Sequence, residues 1–290
     1  MSAHHRVSLI ATAALLALAA GAVQAVGVPS GLPGLSLQLE ADAGLSLDGS
    51  GNILKWADLS GSGHDASGVP GSYAQFNGAS MNGIAVPTFS NSTLNLNGVP
   101  LSSQQFTLFT VAATPQTAGS NGFREVISNW TGSNSTTSVF LGTVGFDAVP
   151  DTTIRFTDDV GGFNDLVHPQ TGVSSIPNPG LGFVLSGVSG TSDASIYLGQ
   201  SLVYSTAALT TRDLSGPWMI GSQGGSFEHW NGQIAAVLVY DRELSGAERT
   251  QVIDYLSTKY LAAPPVPEPG TWALALGGLA LLGAALRRRG

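Results

Sequence analysis

The sequence predicts an all-β protein, a sandwich or barrel of short strands followed by one amphipathic helix. Short runs in which apolar and polar residues alternate recur along the chain, and a period of two places every second side chain on one face of a strand. Gly, Asn, Asp and Ser separate these runs about every 8–12 residues, a spacing typical of sandwiches and barrels. A helical period stands out after Ser245.

Residues 1–25 are typical of a secretory signal peptide and are set apart from the fold. A polar start carrying Arg6 precedes an apolar run over residues 7–20, and Val23-Gln24-Ala25 is an A-x-A-like cleavage site. We expect signal peptidase to cut after Ala25. The predicted folded domain is then residues 26–261.

The predicted strands follow one another between the signal peptide and the helix. In residues 35–39 three leucines share one face, and residues 105–111 are apolar enough for a central strand. Asp48-Gly-Ser-Gly-Asn52 and Gly199-Gln200 each indicate a hairpin turn. The predicted strands are residues 35–39, 93–97, 105–111, 125–129, 138–143, 153–157, 182–187, 195–198, 202–205, 218–221 and 233–240.

One helix is predicted from Ser245 to about Leu261. Ser245-Gly-Ala-Glu248 has the form of a capping box, in which the two side chains satisfy each other's exposed backbone N–H groups. An apolar stripe follows at helical spacing, formed by Val252, Ile253, Leu256 and Tyr260. We expect this stripe to pack against the edge or end of the sandwich. Residues 262–270 then form a Pro-rich linker.

The last segment, residues 271–290, combines an apolar run with a basic end. The run over residues 271–286 would be about 24 Å long as a helix, whereas a bilayer core of about 30 Å usually needs about 20 residues. Arg287, Arg288 and Arg289 would remain cytoplasmic, which places Pro267-Glu268-Pro269 outside. These features predict a transient transmembrane helix.

This tail resembles the PEP-CTERM sorting signal of Gram-negative bacteria, in which Pro-Glu-Pro, an apolar helix and terminal arginines occur in this order. The resemblance covers residues 266–290. It implies recognition by a membrane protease of the exosortase type, transient insertion in the inner membrane, and release or re-anchoring outside the cell. Proteins with this signal typically accompany exopolysaccharide and biofilm production.

Composition excludes several classes of function. Residues 26–265 hold 7 Lys and Arg against 18 Asp and Glu, and this acidic balance argues against nucleic acid and anionic lipid as partners. The chain has no cysteine, so thiol catalysis, cysteine-ligated metals and disulfides are excluded. Beyond the signal peptide only His64, His168 and His229 remain, and none has zinc-protease spacing.

Two stretches carry a second resemblance. Trp56-Ala-Asp58-Leu-Ser60-Gly61-Ser-Gly63-His-Asp65 lies near the start of the domain, and residues 230–260 close it with a strand and the capped helix. Together they resemble the opening and the end of a laminin-G-like jelly roll of the concanavalin-A type, which implies a two-sheet sandwich. Many members carry Glu at the position of Ala236, so a salt bridge built there is not expected in this chain.

The turn residues of the opening stretch have a structural and a functional interpretation. Asp58 and Ser60 are turn formers whose side chains bond nearby backbone N–H groups, and Gly61 and Gly63 supply positive φ. Trp56 would fill the core beneath this turn. The alternative is a role in binding a ligand or metal.

Calcium is the metal that the sequence leaves open, and no other cofactor is expected. Residues 48–52 resemble half of an oxygen-rich calcium loop, but Leu59 stands where the bidentate Glu would fall, so a hairpin turn is favoured. Asp158 and Asp159 are weaker candidates for a structural calcium site. Laminin-G-like domains sometimes hold such an ion.

Catalysis is not expected. Retaining glycoside hydrolysis needs two carboxyl groups about 5.5 Å apart, and glucanases of the resembled superfamily supply them through E-x-D-x-x-E on one strand. The partial match Glu40-Ala-Asp42 has Leu45 at the third position and lies on the opening strand. A G-x-S-x-G nucleophile elbow is also absent from the sequence.

A carbohydrate-binding module is the favoured function. Sugars stack on exposed aromatic rings while Asn, Asp and His bond their hydroxyl groups. The candidate residues are Trp130, His229, Trp230 and Asn231. Trp230 has core packing as its structural alternative, and His229 an ordinary surface position. The expected protein is exported, works at the cell surface or after secretion, and binds polysaccharide or a surface protein; the alternative is a structural or adhesive matrix protein without a glycan pocket.

Overall fold

The computed structural model describes residues 29–114, 122–130, 138–146, 149–158, 165–166, 180–209, 211–224 and 228–261. The predicted signal peptide with Ala25, the linker, the Pro-Glu-Pro motif and the terminal arginines lie outside these residues. Within them, no helix is both long and apolar enough to cross a membrane.

The described residues form eighteen strands, one short 3₁₀ helix at Pro29–Gly31 and one α-helix. In chain order they are β1 (Leu35–Glu40), β2 (Leu45–Leu47), β3 (Ile53–Trp56), β4 (Ala66–Gly68), β5 (Ser80–Met81), β6 (Ile84–Ala85), β7 (Thr88–Phe89), β8 (Leu94–Leu96), β9 (Phe106–Ala113), β10 (Gly122–Ser128), β11 (Phe140–Phe146), β12 (Val149–Asp158), β13 (Asp165–Leu166), β14 (Phe183–Ser189), β15 (Asp193–Leu198), β16 (Ser201–Ala207), β17 (Met219–Ile220), β18 (Gly232–Tyr240) and α1 (Gly246–Tyr260).

These strands build two antiparallel sheets that pack face to face. The seven-stranded sheet has the order β1-β18-β9-β14-β15-β16, with β7 paired to β18, and the nine-stranded sheet has the order β13-β12-β11-β10-β17-β8-β4-β3-β2. A separate hairpin joins β5 and β6. The predicted sandwich is confirmed, and every strand predicted from alternation is present.

The core lies between the sheets and is built from alternate residues of each strand. Phe106 of β9 meets Phe156 of β12 edge to face, with ring centroids 5.9 Å apart. Gly187 of β14 faces the same ring, and a Cβ atom at this position would lie 2.5 Å from Phe156 Cδ2. Trp56 and Trp218 are fully buried in the same core. The two sheets are therefore interlocked by aromatic side chains.

Helix α1 begins and ends as the sequence predicts. The Ser245 side chain accepts a hydrogen bond from the Glu248 N–H while the Glu248 side chain bonds back to the Ser245 N–H, which completes the capping box. The four residues of the predicted stripe are buried. The expected position was wrong, because the helix crosses the outer face of the seven-stranded sheet. Lys259 contacts Glu40 on β1 near one end, and Arg249 lies 3.5 Å from the Tyr197 ring of β15 near the other.

The turn after Trp56 has the structural role that the sequence favoured. Asp58 Oδ1 accepts hydrogen bonds from the N–H groups of Gln38 and Ser60, both at 2.9 Å. Trp56 lies beneath and donates its indole N–H to the Glu40 carbonyl at 2.9 Å. These bonds join the turn to β1.

The two predicted hairpin turns are also confirmed. Asp48 Oδ1 accepts from the N–H groups of Ser50 and Asn52 at 2.8 and 2.9 Å, and Gly51 has a φ of +80°. Gly199-Gln200 joins β15 to β16, with Gly199 at a φ of +56°. The side chains at residues 48–52 therefore close a turn.

Candidate ligand-binding face

Four exposed side chains lie side by side on the outer surface of the nine-stranded sheet. The strand register pairs them in sequence across β2, β3, β4 and β8. Because neighbouring strands are about 4.8 Å apart, the set extends for about 15 Å. We call it the polar row, and it consists of Ser46, Lys55, Ser67 and Asn95.

The same register continues beyond Asn95 but the exposure does not. Asn95 pairs with Met219 of β17, Met219 with Ser128 of β10, and Ser128 with Phe140 of β11. These three residues are buried, and neither Met219 nor Phe140 belongs to the apolar cluster between the sheets. Met219 and Phe140 therefore lie on the outer face of the sheet, in a half of that face that is covered. The exposed polar row ends where this covered half begins.

Trp130 follows β10, two strands beyond Asn95 in the nine-stranded sheet. Its N–H donates to Ser128 Oγ at 3.0 Å, and its carbonyl accepts from the Gly224 N–H at 2.8 Å. The ring is half-buried, and the indole Nε1 has no hydrogen-bond acceptor within the described part of the chain. The structure thus places a half-buried aromatic ring on the same sheet as the polar row, with β17 between their strands.

Residues 221–224 and 228–229 lie along β10 on the approach to Trp130. The Gly221 N–H donates to the Val126 carbonyl at 2.8 Å, and the Glu125 N–H donates to the Glu228 carbonyl at 3.0 Å. His229 pairs with Glu125 in an isolated parallel bridge. His229 is half-buried, and its Nδ1 has no partner among the described residues. His229 therefore lies beside Glu125 of β10, and Glu125 precedes Trp130 by five residues in the sequence.

Trp230 takes its structural alternative, core packing, and is not an exposed binding residue. Trp230 is fully buried, packs edge to face on Phe183 at 6.4 Å, and donates its indole N–H to the Gln233 carbonyl at 3.3 Å. It lies just before the last strand, and its ring belongs to the same apolar cluster as Phe183. Asn231 is held between loops, because its Oδ1 accepts from the Asn91 N–H at 3.2 Å.

The charge of the polar row is balanced locally. Lys55 Nζ forms an ion pair with Asp65 Oδ2 at 2.5 Å. The hydrogen bond from Lys55, together with that from the Asp58 N–H, lowers the pKa of Asp65 below its ordinary value. Asp65 thereby remains ionised and fixes Lys55 at the middle of the row. The row offers hydroxyl, amide and ammonium groups to a ligand.

The calcium candidates stay a prediction. Asp158 ends β12, where its backbone pairs with Asp165, and Asp159 lies outside the described residues. In the described ranges, no three His, Asp or Glu side chains converge in the manner of a metal site.

The partial glycosidase pattern is engaged in an ion network beneath α1. Glu40 accepts from the Tyr255 hydroxyl and pairs with Lys259, which also lies 2.9 Å from Asp42. Burial alone would lower the pKa of Lys259, but its bonds with Glu40 and Asp42 raise it. Burial, and then the charge of Glu40, raises the pKa of Tyr255 to about 12. Glu40 of β1 also pairs with Ala236 of β18. Ala236 has no carboxylate, and the neighbouring strand β1 supplies one beside it.

Sequence reasoning missed Lys55, Ser67 and Asn95 as site residues. Alternation in Leu94-Asn95-Leu96 does place Asn95 on the outward face, and this signal was available. The alignment of Asn95 with Ser67 and Lys55 depends on the pairing of β8 with β4 and of β4 with β3. No local pattern fixes the pairing of strands that lie this far apart in sequence.

Comparison with known proteins gives one match in sequence and several in structure. Residues 265–289 match the PEP-CTERM protein-sorting motif. No curated protein sequence matches the chain. Domain 4 of AbnA, a GH43 extracellular arabinanase from Geobacillus stearothermophilus solved with arabinotriose, superposes with a TM-score of 0.52 at 14% identity, over 76% of this chain and 98% of that domain.

The receptor-binding domain of botulinum neurotoxin D also superposes with a TM-score of 0.52, at 12% identity over 77% of this chain. That of type G has a TM-score of 0.50 at 17% identity over 76%. The chain spans about half of these two, 52% and 51%. The described part of the chain is thus a jelly-roll β-sandwich, and the PEP-CTERM motif marks it for export, from a membrane-held precursor to the cell surface or the medium.

Proposed function

We propose that the exported protein binds carbohydrate, with the polar row and Trp130 as its binding surface. The observation that carries this proposal is the alignment of Lys55, Ser67 and Asn95 on one exposed face, with the half-buried ring of Trp130 two strands further along the same sheet. Carbohydrates need this combination, because their hydroxyl groups take hydrogen bonds while their apolar ring faces stack on aromatic side chains. A row of about 15 Å would accommodate several linked sugars.

Two further observations support this function. The arabinanase domain with the same fold was solved with arabinotriose, a short sugar chain. The sorting motif marks the protein for export, which a protein that binds extracellular polysaccharide requires. On this proposal an exosortase-type protease processes the tail, and the mature protein acts in the exopolysaccharide or biofilm matrix.

The proposed role is binding without catalysis. Glu40 and Asp42, the carboxylates of the partial glycosidase pattern, are committed to Lys259 under the helix. Glu40 is 1% exposed, so a substrate would have to displace α1 to reach it. A hydrolysis assay that detected turnover of the bound glycan would contradict this part of the proposal.

The test is a glycan-array screen of the full chain in detergent, with and without calcium, followed by titration of the best ligand. We expect Trp130→Ala and Asn95→Ala each to weaken binding about tenfold, which corresponds to about 1.4 kcal/mol. Leu181→Ala is the matched control, because the Leu181 side chain is 62% exposed and lies far in sequence from the residues of the polar row. Wild-type protein that binds no glycan, or an equal loss in the control, would overturn the proposal.

A structural or adhesive role without a glycan site is the second candidate. The observation that favours it is an exposed, uncharged strand at the edge of the seven-stranded sheet. This strand belongs to the other sheet and shares no residue with the polar row.

A further inference from the structure

Strand β16 is the last strand of the seven-stranded sheet, and no strand of the described residues pairs with its outer edge. It pairs with β15 on one side, and it is the terminal member of the strand order. Most of its residues are exposed, including the large apolar side chains of Leu202 and Tyr204 at 56% and 46%. Such an edge offers unpaired backbone N–H and C=O groups to another strand.

This edge lacks two of the features that usually prevent association, a charged residue and a proline. Natural edge strands carry Lys, Pro or an inward-pointing charge that blocks pairing with another chain. Residues 201–211, Ser-Leu-Val-Tyr-Ser-Thr-Ala-Ala-Leu-Thr-Thr, contain neither a charged residue nor Pro. The irregular pairing near Tyr197 affects only one end of the strand. The remaining part, from Tyr204 to Ala207, is regular and uncharged.

Apolar side chains accompany the edge on both faces of the sheet. Tyr204 lies opposite Ile196, a core residue, so its ring continues the inner face beyond the core. Leu202 lies opposite Tyr197, whose ring contacts Arg249 of the helix, so it continues the outer face. An added strand would therefore cover exposed apolar surface on each side as well as complete backbone hydrogen bonds.

We propose that β16 pairs with β16 of a second copy of this chain, which joins two seven-stranded sheets into one continuous sheet. A two-fold axis through the edge makes the two strands antiparallel, which is the arrangement of every pair within this sheet. The same strand, β16, thus forms both sides of the interface.

Charge also favours a second copy at this edge. The chain has a formal net charge of −8, so copies repel each other over most of their surface. The uncharged stretch 201–211 is where this repulsion is weakest at close approach. A dimer would present two polar rows, although the pairing does not depend on what those rows bind.

A cysteine scan of the full chain in detergent tests this pairing directly, because the chain has no cysteine of its own. Single cysteines are placed at 202, 203, 204, 205 and 206 and oxidised under mild conditions. Only a residue beside the two-fold axis meets its own copy, at the Cα separation of about 4.5–5.5 Å that a disulfide accepts. We expect disulfide-linked dimers to peak at one or two adjacent positions, with Leu54→Cys, 42% exposed on β3, as the control.

A second variant removes the pairing without a crosslink. Tyr204→Lys places a charge on the pairing edge of both copies, and we expect the sedimenting species to change from two chains to one, while Leu54→Lys leaves two chains. The apolar tail is present in every sample, so any association through it is shared by the variants. Wild-type protein with one chain per particle, equal crosslinking at Leu54→Cys, or dimers that survive Tyr204→Lys would each overturn the proposal. Glycan binding by a strictly monomeric protein would leave the proposed function intact and reject only the pairing.

Discussion

The carboxylate of Asp58 holds four hydrogen bonds and connects three segments of the chain. Oδ1 accepts from the N–H groups of Gln38 and Ser60, and Oδ2 accepts from the Ser60 hydroxyl at 2.8 Å and from the His64 N–H at 3.0 Å. The segment after β3 is thereby tied to β1. The hydrogen bonds of the Asp58 carboxylate therefore give this motif a structural role.

Replacement of Asp58 tests this role. We expect Asp58→Ala to lower the free energy of unfolding by about 2–4 kcal/mol, because the three N–H groups it serves lose their acceptor in a partly buried turn. Urea denaturation followed by tryptophan fluorescence would measure the change. Asp48→Ala is the control, because Asp48 closes an exposed hairpin turn with the same kinds of bonds and should cost less. Equal losses in the two variants would show that Asp58 does no more than close its own turn.

At the scale of elements, helix α1 is fixed at its first turn by a charge pair. Arg242 donates two hydrogen bonds to Glu248, with Nη2 to Oε1 at 2.7 Å and Nη1 to Oε2 at 3.1 Å. These bonds, with the N–H of Ser245, lower the pKa of Glu248 to about 2. Glu248 thus connects the helix cap to the segment that follows β18.

The pH dependence of stability follows from this lowered pKa. In the unfolded chain Glu248 binds a proton near its ordinary pKa of 4.5, whereas in the folded protein it stays ionised to about 2. Its contribution is therefore present above pH 4.5 and lost as pH falls toward 2. Glu248→Gln keeps the cap geometry without the charge, so we expect a loss of about 1 kcal/mol at pH 7 and a shallower acid limb of the unfolding free energy. Parallel acid limbs for variant and wild type would contradict this expectation.

Local sequence signals predicted the strands and the helix better than they predicted the contacts between them. Alternation identified the long strands, and the Ser245–Glu248 capping box fixed the start of α1 because both signals involve residues close in sequence. The short strands β2 to β7 and β13 were not predicted, since two to four residues show no clear period. The position of α1 was misjudged, and Trp230 was left open between binding and core packing, because burial depends on which distant strands are neighbours. The pairing that aligns Asn95 with Lys55 is beyond local patterns for the same reason.

At the scale of the whole molecule, the two sheets share one core and should unfold together. Gly187→Ala tests this coupling, since its Cβ would lie within 2.7 Å of three Phe156 ring atoms on the opposite sheet. We expect a loss of about 1–3 kcal/mol from overpacking. Melting curves from far-ultraviolet circular dichroism and from fluorescence should shift together. Gly31→Ala, where nothing lies within 4 Å of the added atom, is the control. Separate transitions for the two probes would show that the sheets are independent.

The position of β18 between β1 and β9 has a consequence for the time course of export. Within the seven-stranded sheet, β1 has no neighbour other than β18, and the two strands are separated by almost the whole domain. A chain emerging N-terminus first across a membrane therefore presents Leu37 and Leu39 to water until Gly232–Tyr240 arrives. The seven-stranded sheet is therefore completed at β1 only after β18 has crossed. A domain with this strand order remains unfolded enough to be translocated during its passage, and it resists unfolding only when nearly all of it has crossed.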